Sequence, residues 1–332
     1  MNAKTILIYA DNIKSGGGRV LLEAVLNELR GQQLTLFLHS DTKIWHDEKW
    51  TVLYVKPKFY HRLVCNIKAS RLTNERSLFF GNVPPLIKKP KSALFIQNNL
   101  LFDWRRNHKF FSGFKKLKFL SDCFILFAFR HNVDKVYVQN QDAMLGACNW
   151  FAKSKLKQLP FMPTVNQCKQ TAKQFDYIFV GGFEKHKNLR NVLRAWSLCK
   201  SLGLNGLLAL TITVDEFQKN CPNDLQNFSD IVFLGQLPHA VLLSEMAKAK
   251  CLIFASSVES LALPLLEASS LGVKIIASDR GFVFEVCKPN ETFREDDPKS
   301  IARKIFQISG QNKHKKLDLK TPSDFVKSVF DV

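Results

Sequence analysis

No apolar run in this sequence of 332 residues is long enough to cross a bilayer. The longest run covers 119–129, is broken by Ser121 and Asp122, and falls short of the roughly 20 residues that a transmembrane helix needs. The N-terminal region also lacks the apolar segment and small-residue cleavage site of a secretory signal. We therefore expect the protein in the cytoplasm, either free or attached peripherally to the inner face of the membrane.

Closely spaced cysteines are missing as well. None of the eight cysteines lies in metal-ligand spacing with another, and several lie within apolar runs. Scattered thiols of this kind suit a reducing compartment, where they behave as small apolar side chains. We expect neither a disulfide framework nor a cysteine-bound metal. The cysteines are Cys65, Cys123, Cys148, Cys168, Cys199, Cys221, Cys251 and Cys287.

Acidic residues are few beside basic ones. The chain has 48 Lys and Arg against 29 Asp and Glu, a formal net charge of +19, which predicts an anionic partner such as nucleic acid, an acidic membrane or a phosphorylated substrate. Nine of the cations and a single acid fall within 88–118, among aromatic residues, and five lysines without an acid fall within 153–173. Two interpretations of these runs stand: an ordinary solvated face, or a surface that binds the anionic partner.

The sequence does contain an alternation of short strand-like runs with helical segments, which indicates parallel sheets covered by helices. In the first half, strands are predicted at 5–9, 34–39, 52–55, 78–81, 93–97 and 135–139, and helices at 20–30, 115–130 and 141–153. A linker is predicted at 159–164 and in the polar stretch after it. The alternation then restarts, with strands at 177–180, 207–213, 231–234, 252–255 and 274–277, and helices at 189–200, 239–249, 264–271 and 298–308.

These elements predict an α/β protein with two Rossmann-like, doubly wound domains, 1–165 and 166–332, that face one another across a cleft. A packing of the last residues of the chain on the first domain is an open alternative. Ligands of doubly wound sheets bind at the carboxyl ends of the strands, so we expect the functional site in the cleft between the domains.

Three glycines, Gly16, Gly17 and Gly18, stand between the first predicted strand and the first predicted helix. Glycines at such a place let the backbone turn sharply and let an anion approach a helix N-terminus. The segment is not the dinucleotide fingerprint, since Val20 and Leu21 occupy the place of its third glycine, and it lacks the Lys-Ser/Thr pair of a P-loop. A ligand-binding loop and a plain strand–helix turn both remain open.

A second glycine pair, Gly181 and Gly182, ends a predicted strand and leads through a basic loop into a helix. His186 and Lys187 lie in that loop, and Asn188 is a suitable N-cap residue for the helix. A lysine at the start of a helix opposes the helix dipole, which an anion bound there would offset. The alternative is a solvated loop.

Two glutamates bracket the start of a later helix. Glu259 lies in the loop after a buried strand, Pro264 opens the helix at its preferred first position, and Glu267 follows in or just after the first turn. The backbone amides near 261–263 are then available to an anion. Two carboxylates beside such amides can hold the hydroxyls and the phosphate of one ligand. The alternative for Glu267 is a carboxylate that only complements the helix dipole.

Together, the second and third segments resemble the family-4 retaining glycosyltransferases of the GT-B fold (glycosyl transferases group 1). The hallmark of that family is a pair of glutamates separated by seven residues in a stretch similar to E-G-F-G-L-P-x-x-E-A, which stands here as E-S-L-A-L-P-L-L-E-A from Glu259 to Ala268. The continuation 271–279, the segment 232–235 and the basic loop 181–189 also resemble the family. The resemblance is strong over 177–285 and diffuse in the first half of the chain.

The resemblance implies a role for each matching residue. Glu267 would bind the ribose hydroxyls of a nucleotide-sugar donor, Glu259 would hold hydroxyls of the transferred sugar, and Lys187 would neutralise the diphosphate. Glu259 and Lys187 are therefore the candidate catalytic residues. The candidate donor-binding residues are Glu267, Gly16, Gly17, Gly18, Gly181, Gly182, His186, Asn188, Gly235, Ser260, Leu261, Ala262 and Leu263.

The sequence departs from the family at three places. Gly182 stands where most members carry an arginine, so one diphosphate cation is missing unless Lys185 or Arg19 replaces it. Ser260 and Ala262 replace the glycines of the motif. Where many members place a histidine after an N-terminal strand, this chain reads Gln97-Asn98-Asn99, so no acceptor-side catalytic residue is identified.

The sequence contains no D-x-D motif, and it therefore predicts neither a divalent ion at the diphosphate nor another cofactor. Fixed cations and a helix N-terminus would then stabilise the leaving group. Retention of the anomeric configuration is implied by the resemblance alone. Because no nucleophile is evident, we interpret the reaction as departure and attack on one face of the sugar within a single ion pair, with a hexose as the transferred group.

Other functions are open to comparison. A nucleic-acid-binding protein would use the basic, aromatic run 88–118, but Glu259 and Glu267 in a cleft would repel phosphates, so nucleic acid is not an expected partner. A catalytically weak or inactive homologue that binds a sugar nucleotide or an anionic surface stays open, because Gly182 weakens the diphosphate site. A sugar-nucleotide epimerase on the same fold also stays open.

The expected partners are a nucleotide-sugar donor and a glycan acceptor. The basic, aromatic first half indicates a lipid-linked or phosphorylated acceptor of a bacterial cell envelope. The segment from Trp104 to Leu120 joins cations to aromatic residues, a combination that favours docking on an anionic membrane surface. The alternative is that these aromatic residues pack into the core of the first domain.

Overall fold

The computed structural model describes residues 5–163, 165, 172–221, 225, 229–308 and 319–330. The chain divides into two compact units. Unit 1 comprises Met1–Thr164 and Leu319–Val332, and unit 2 comprises Val165–Asp318. Each unit is an α/β domain around one parallel sheet, so the predicted fold class is confirmed.

Unit 1 contains seven parallel strands. They are β1 (Ile6–Ala10), β2 (Leu34–His39), β3 (Trp50–Val55), β4 (Arg76–Phe80), β5 (Ser92–Phe95), β6 (Lys135–Val138) and β7 (Leu156–Gln158). The helices between them are α1 (Gly16–Glu28), α2 (Phe59–Arg71), α3 (Trp104–Asn107), α4 (Gly113–Phe129) and α5 (Gln141–Cys148). The strand order is β3-β2-β1-β4-β5-β6-β7. All five residues of β1 and all four of β5 are buried, as expected of central strands covered on both faces.

Unit 2 contains six parallel strands. They are β8 (Phe175–Phe179), β9 (Leu208–Leu210), β10 (Ile231–Phe233), β11 (Ala249–Phe254), β12 (Lys274–Ser278) and β13 (Glu291–Phe293). The helices are α6 (Leu189–Ser201), α7 (Val214–Asn220), α8 (His239–Ala247), α9 (Leu263–Ser270), α10 (Gly281–Val286) and α11 (Pro298–Gln307). The strand order is β10-β9-β8-β11-β12-β13. Trp196 is fully buried in this core, and its ring nitrogen donates to Asp230 at 2.8 Å.

A final helix, α12 (Pro322–Phe330), belongs to unit 1 and packs against α1. Phe325 stacks on Phe161 with the ring centroids 4.2 Å apart, and the Tyr137 hydroxyl donates to the Ser328 carbonyl at 3.0 Å. Phe161 is wholly buried and pairs with Lys320 in a parallel bridge. The prediction of a linker at 159–164 is therefore wrong for Phe161, whose burial with α12 stabilises the core of unit 1. The polar residues 166–171, Cys168 among them, lie outside the described residues.

Several elements differ from the sequence prediction. The 13-residue helix α2 was not predicted because only three of its residues, Asn66, Ala69 and Ser70, are buried, so no apolar stripe marks it. α5 ends at Cys148 rather than at 153, and α8 ends at Ala247 because Ala249 already begins β11. The other elements without a predicted counterpart are α3, α7, α10, α12, β7 and β13, all of nine residues or fewer. Within the described ranges, no helix is both long enough and apolar enough to cross a membrane.

Candidate active site

The strand order of unit 2 reverses between β8 and β11, which pair at the centre of the sheet. At such a point the loops after the two strands run in opposite directions and leave a crevice for a ligand. The basic loop follows β8, and the loop that carries Glu259 follows β11. The structure thus brings the two glycosyltransferase-like segments together at one edge of unit 2.

Glycine is required at the start of the basic loop. Gly181 has a φ of 141°, which a residue with a side chain rarely adopts, and a Cβ there would lie 3.3 Å from Cδ of Lys187. The Gly181 amide donates to the Thr211 hydroxyl at 3.0 Å. Residues Lys185–Lys187 then form a single 3-10 turn that presents Lys187 back towards this point.

The basic loop is fixed to the loop after β11 by hydrogen bonds. The Ser257 amide donates to the His186 carbonyl at 2.8 Å, and the Asn188 side-chain amide donates to the Ala255 carbonyl at 2.9 Å. Asn188 is the residue before α6, as predicted, but it has a left-handed φ of 56° and its side chain does not cap the helix. Its side chain instead links the basic loop to the loop after β11.

Lys187 and Glu259 form an ion pair across the two loops, with Nζ and Oε1 2.7 Å apart and side chains 19% and 17% exposed. Burial alone would raise the pKa of Glu259, but the Lys187 ammonium and the Ser256 hydroxyl outweigh it and hold that pKa below its ordinary value. Burial likewise opposes the charge of Lys187, but Glu259 raises the pKa of that ammonium. Both groups are charged at neutral pH. The stability that Glu259 contributes is lost as pH falls through its lowered pKa, and that of Lys187 as pH rises through its raised pKa.

His186 lies beside this pair. Burial lowers the pKa of His186, and the nearby Lys187 ammonium acts in the same direction, while Glu259 and Glu184 oppose them. The imidazole is therefore neutral at neutral pH. Its contribution to stability is complete above the ordinary histidine pKa and is lost as pH falls through the lowered one.

The residues after Glu259 turn inward to start α9. Leu261, Ala262 and Leu263 are all buried. Ala262 has a left-handed φ of 53°, at a position where the related motif carries a glycine. α9 begins at Leu263, one residue earlier than predicted, so Pro264 is its second residue and not its first. The first turn of α9 has neither a side-chain cap nor an acidic residue, so its backbone amides leave this helix end favourable to an anion.

Glu267 lies in the second turn of α9 and is 3% exposed. Its Oε1 is 2.7 Å from Nε2 of His239, the first residue of α8. His239 is a site residue that was not predicted from the sequence. In the sequence, His239 is marked only by its place at the start of a predicted helix a few residues after Gly235. That pattern does not indicate a contact with Glu267 in the next helix.

Gly182 faces carboxylates rather than a gap. A Cβ at this position would lie 2.9 Å from Oε1 of Glu216 and 3.1 Å from Oε2 of Glu184, and the Gly182 amide donates to Glu184 at 3.2 Å. An arginine at 182 would therefore meet two acidic partners. Gly235, the remaining predicted glycine of unit 2, has a φ of 70° and its amide donates to the Ile212 carbonyl at 3.1 Å.

The three N-terminal glycines belong to unit 1. They are the first residues of α1 and not a turn before it, which corrects the prediction. Gly16 has a φ of 69°, and a Cβ on Gly18 would lie 2.7 Å from Oε1 of Gln97. Glycine at 18 thus allows the Gln97 side chain, which follows β5, to lie against the first turn of α1. All the other predicted residues lie in the loops and helix starts at the carboxyl edge of the unit 2 sheet.

Residues 166–320 match the family model described as glycosyl transferases group 1. None of the curated proteins compared with the chain matches it significantly in sequence. The match covers the whole of the site described above in unit 2.

Solved structures resemble the chain over nearly its whole length. Sucrose-phosphate synthase from Thermosynechococcus elongatus has a TM-score of 0.69 at 13% identity, over 92% of this chain and 89% of that chain. HepE of Anabaena, solved in complex with UDP-glucose, has a TM-score of 0.64 at 11% identity, over 91% and 88%. WaaG, a glycosyltransferase involved in lipopolysaccharide biosynthesis, has a TM-score of 0.64 at 15% identity, over 91% and 90%. The chain therefore has the GT-B fold of these glycosyltransferases, and its residues 166–320 match the family of glycosyl transferases group 1.

Proposed function

We propose that the protein is a retaining, metal-independent glycosyltransferase that moves a hexose from a nucleotide-sugar donor to a glycan acceptor. One observation carries the proposal. At the switch point of the unit 2 sheet, the Lys187–Glu259 pair lies in the loops that precede α6 and α9, the N-terminus of α9 is uncapped, and the buried Glu267 lies in the second turn of α9. This set offers acceptors for hydroxyls and positive potential for a diphosphate within one loop cluster.

Each part of the donor has a counterpart in this cluster. Glu267, held at one oxygen by His239, accepts the ribose hydroxyls. The α9 amides and Lys187 hold the diphosphate, and Glu259 holds hydroxyls of the sugar. A uridine nucleotide is the first candidate donor, since the similar protein HepE is solved in complex with UDP-glucose.

In this proposal the ion pair between Lys187 and Glu259 is the working part of the site. The bond between the anomeric carbon and the diphosphate oxygen breaks, the acceptor oxygen bonds to the same carbon on the same face, and the acceptor proton passes to the leaving phosphate. Negative charge grows on the diphosphate as the bond breaks. Lys187 is already desolvated and fixed by Glu259, so it stabilises that charge without reorganisation, which is commonly the largest catalytic contribution.

The acceptor in this proposal is a lipid-linked or phosphorylated glycan of the cell envelope, and unit 1 docks on the anionic inner surface of the membrane. Unit 1 has 28 Lys and Arg against 13 Asp and Glu. In the segment 104–120, Phe111 and Phe119 stack on each other, but Phe114 is 82% exposed and Trp104 is 41% exposed. WaaG, which the chain resembles in fold, is involved in lipopolysaccharide biosynthesis.

A screen of nucleotide sugars tests the activity. The protein is incubated with excess EDTA and each nucleotide sugar in turn. We expect it to hydrolyse one of these donors, or to transfer the sugar of that donor, and to release the nucleoside diphosphate. Activity that collapses with EDTA and returns with magnesium would contradict the metal-independent mechanism. Release of the nucleotide with an inverted sugar would contradict retention.

A second candidate function is a catalytically weak homologue that binds a sugar nucleotide. Glu184 and Glu216 beside Gly182 favour it, because they place negative charge where related enzymes carry an arginine. The two candidates separate in one assay. The weak homologue binds a nucleoside diphosphate yet turns over no nucleotide sugar, whereas the enzyme does both.

A further inference from the structure

An apolar cavity of about 550 Å³ lies in unit 1 between α3, α4 and the end of α5, on residues that neither the donor site nor the sheet uses. Its size falls in the range of pockets that hold a small molecule. Most of its lining is apolar, and the one acid in the lining is Asp103. The apolar walls are Phe102, Trp104, Leu120, Phe124, Phe127 and Trp150.

The walls of this cavity, which we call the α4 groove, are fixed by their own contacts. Trp150 meets Phe102 and Phe127 edge-on, with ring centroids 6.3 Å and 5.7 Å apart. The outer wall is open to solvent: Phe124 is 69% exposed and Phe127 is 50% exposed. A groove that is preformed yet lined by exposed aromatic rings indicates a binding surface.

The helix α4 is apolar on two opposite sides. Phe119, Cys123, Ile125 and Leu126 face the core of unit 1 and are buried. A second stripe of exposed apolar residues runs along the same helix: Phe114, Leu117, Phe124 and Phe127. The apolar face of a helix is normally buried, either in a core or in lipid. The uncovered stripe and the groove beside it are continuous with each other.

Two arginines lie against the aromatic walls of the groove. The Arg130 guanidinium lies 4.0 Å from the centre of the Phe127 ring, and that of Arg105 lies 5.7 Å from the Trp104 ring. The same helix carries Lys115, Lys116 and Lys118 on its first turns, of which Lys118 pairs with Asp122 at 3.3 Å. An apolar slot with a cationic rim complements an amphiphile with an anionic head, whereas a sugar or a peptide would find few hydrogen-bond partners in the slot.

We propose that the α4 groove takes an acyl chain of an anionic phospholipid from the membrane on which unit 1 docks. The headgroup phosphate pairs with the cationic rim, and the chain lies between Trp104, Phe124 and Trp150. The proposal rests on the membrane docking of unit 1 given under the proposed function. It adds that the protein takes up one lipid chain, and does not merely rest on the headgroups.

Tryptophan quenching tests this contact, because Trp104 and Trp150 line the groove. The full chain is mixed with phosphatidylglycerol–phosphatidylcholine vesicles whose acyl chains carry bromine near their middle, and with the same vesicles without bromine. Bromine quenches a ring only on close approach. We expect quenching by the brominated vesicles that disappears in Trp104→Phe/Trp150→Phe and persists in Trp45→Phe, a 59% exposed tryptophan outside the groove. Quenching that survives in the double variant overturns the proposal.

A second variant and its matched control distinguish loss of the groove from misfolding of the protein. Phe124→Ser/Phe127→Ser is expected to lower vesicle affinity about tenfold by removing the apolar wall. The matched control, Phe284→Ser/Phe306→Ser, changes two exposed phenylalanines of unit 2 and is expected to leave the affinity unchanged. Co-sedimentation without bromine quenching would contradict the binding of an acyl chain in the α4 groove but would agree with membrane docking of unit 1. Absence of co-sedimentation contradicts both, and stabilisation by UDP tests the donor site independently of either.

Discussion

The two units share a doubly wound parallel sheet and differ in where they carry charge. Unit 1 has 28 Lys and Arg against 13 acids, while unit 2 has 20 against 16. Among the described residues, eight aromatic side chains of unit 1 are largely exposed, against two of unit 2. In unit 2, the charges to which the proposed function assigns a role lie at the switch point of the sheet.

The buried ion pairs sharpen this contrast. In unit 1, Arg62 is 2.6 Å from Asp11 and 3.9 Å from Asp122, so two carboxylates hold one cation. In unit 2, Lys187 has Glu259 as its close partner and lies near the loop that leads into α9. A cation held by two close carboxylates is largely neutralised, whereas Lys187 has one close carboxylate partner and, in the proposed function, also stabilises the diphosphate. In the proposed function, the ion pair of unit 1 is structural and that of unit 2 takes part in the chemistry.

The largest expected effect lies in unit 2. Glu267→Ala removes two charge-assisted hydrogen bonds to ribose, each worth about 1.5–3 kcal/mol, and should weaken UDP binding more than about a hundredfold by calorimetry. Glu245→Ala is the control, since this carboxylate pairs with Lys248 at 2.6 Å near the other end of α8. Vesicle binding should be unchanged in both. UDP affinity equal to that of the parent would show that Glu267 does not hold the ribose.

The next effect concerns turnover. Lys187→Ala should lower kcat about a hundredfold and change donor affinity less, because charge on the diphosphate grows in the transition state. Lys250→Ala is the control, since this cation of unit 2 pairs with Asp176 at 2.7 Å near the start of β11, and it should retain most activity. Steady-state kinetics with the identified donor separate the two constants. A rise in KM alone would assign Lys187 to ground-state binding.

The corresponding change in unit 1 should affect the membrane and not the donor. Lys115, Lys116 and Lys118 changed together to Glu should lower vesicle affinity at least about tenfold at low salt, since each cation near the surface contributes about 1 kcal/mol. Lys219, Lys288 and Lys299, exposed in unit 2, changed to Glu are the control. Co-sedimentation measures the first property and calorimetry with UDP the second. Equal vesicle binding by both triple variants would remove this surface from the account.

The smallest effect tests local strain at the donor loop. Ala262 has a left-handed φ of 53°, so Ala262→Gly should raise the stability of unit 2 by up to about 1 kcal/mol, offset in part by the greater freedom of glycine in the unfolded chain. Ala262→Val should lower it. Thermal unfolding measures both. A clear loss of stability in the glycine variant would mean that the methyl group, which is buried, matters more than the backbone.

Much of the fold was predictable because the strands carry their own signal. Buried runs such as those of β2 and β12 alternate with helices that have one apolar side, and parallel sheets follow from that order. The helix α2 and the bridge at Phe161 were not predictable in this way. The first has no apolar stripe, and the second depends on a helix that begins more than 150 residues later in the chain.

The candidate site was predictable in its parts and not in its contacts. The positions of the glycines and glutamates in loops and near helix starts could be predicted, because local backbone conformation and the free amides of helix ends favour these residue types there. The partners of those residues do not: His239 reaches Glu267 from another helix, and Asn188 donates to Ala255 instead of capping α6. Such contacts depend on how the elements pack, which local sequence patterns do not encode.

One measurement tests the central claim, that unit 2 binds a nucleoside diphosphate through Glu267 and Lys187 without a metal ion. Thermal unfolding is followed in EDTA with UDP, GDP or ADP at saturating concentration, for the parent and for Glu267→Ala. A ligand at a hundred times its Kd stabilises the folded state by about 2.7 kcal/mol, so one nucleotide should raise the melting temperature of the parent by several degrees. The variant should show no such shift. No shift in the parent with any of the three, or an equal shift in the variant, would contradict the account.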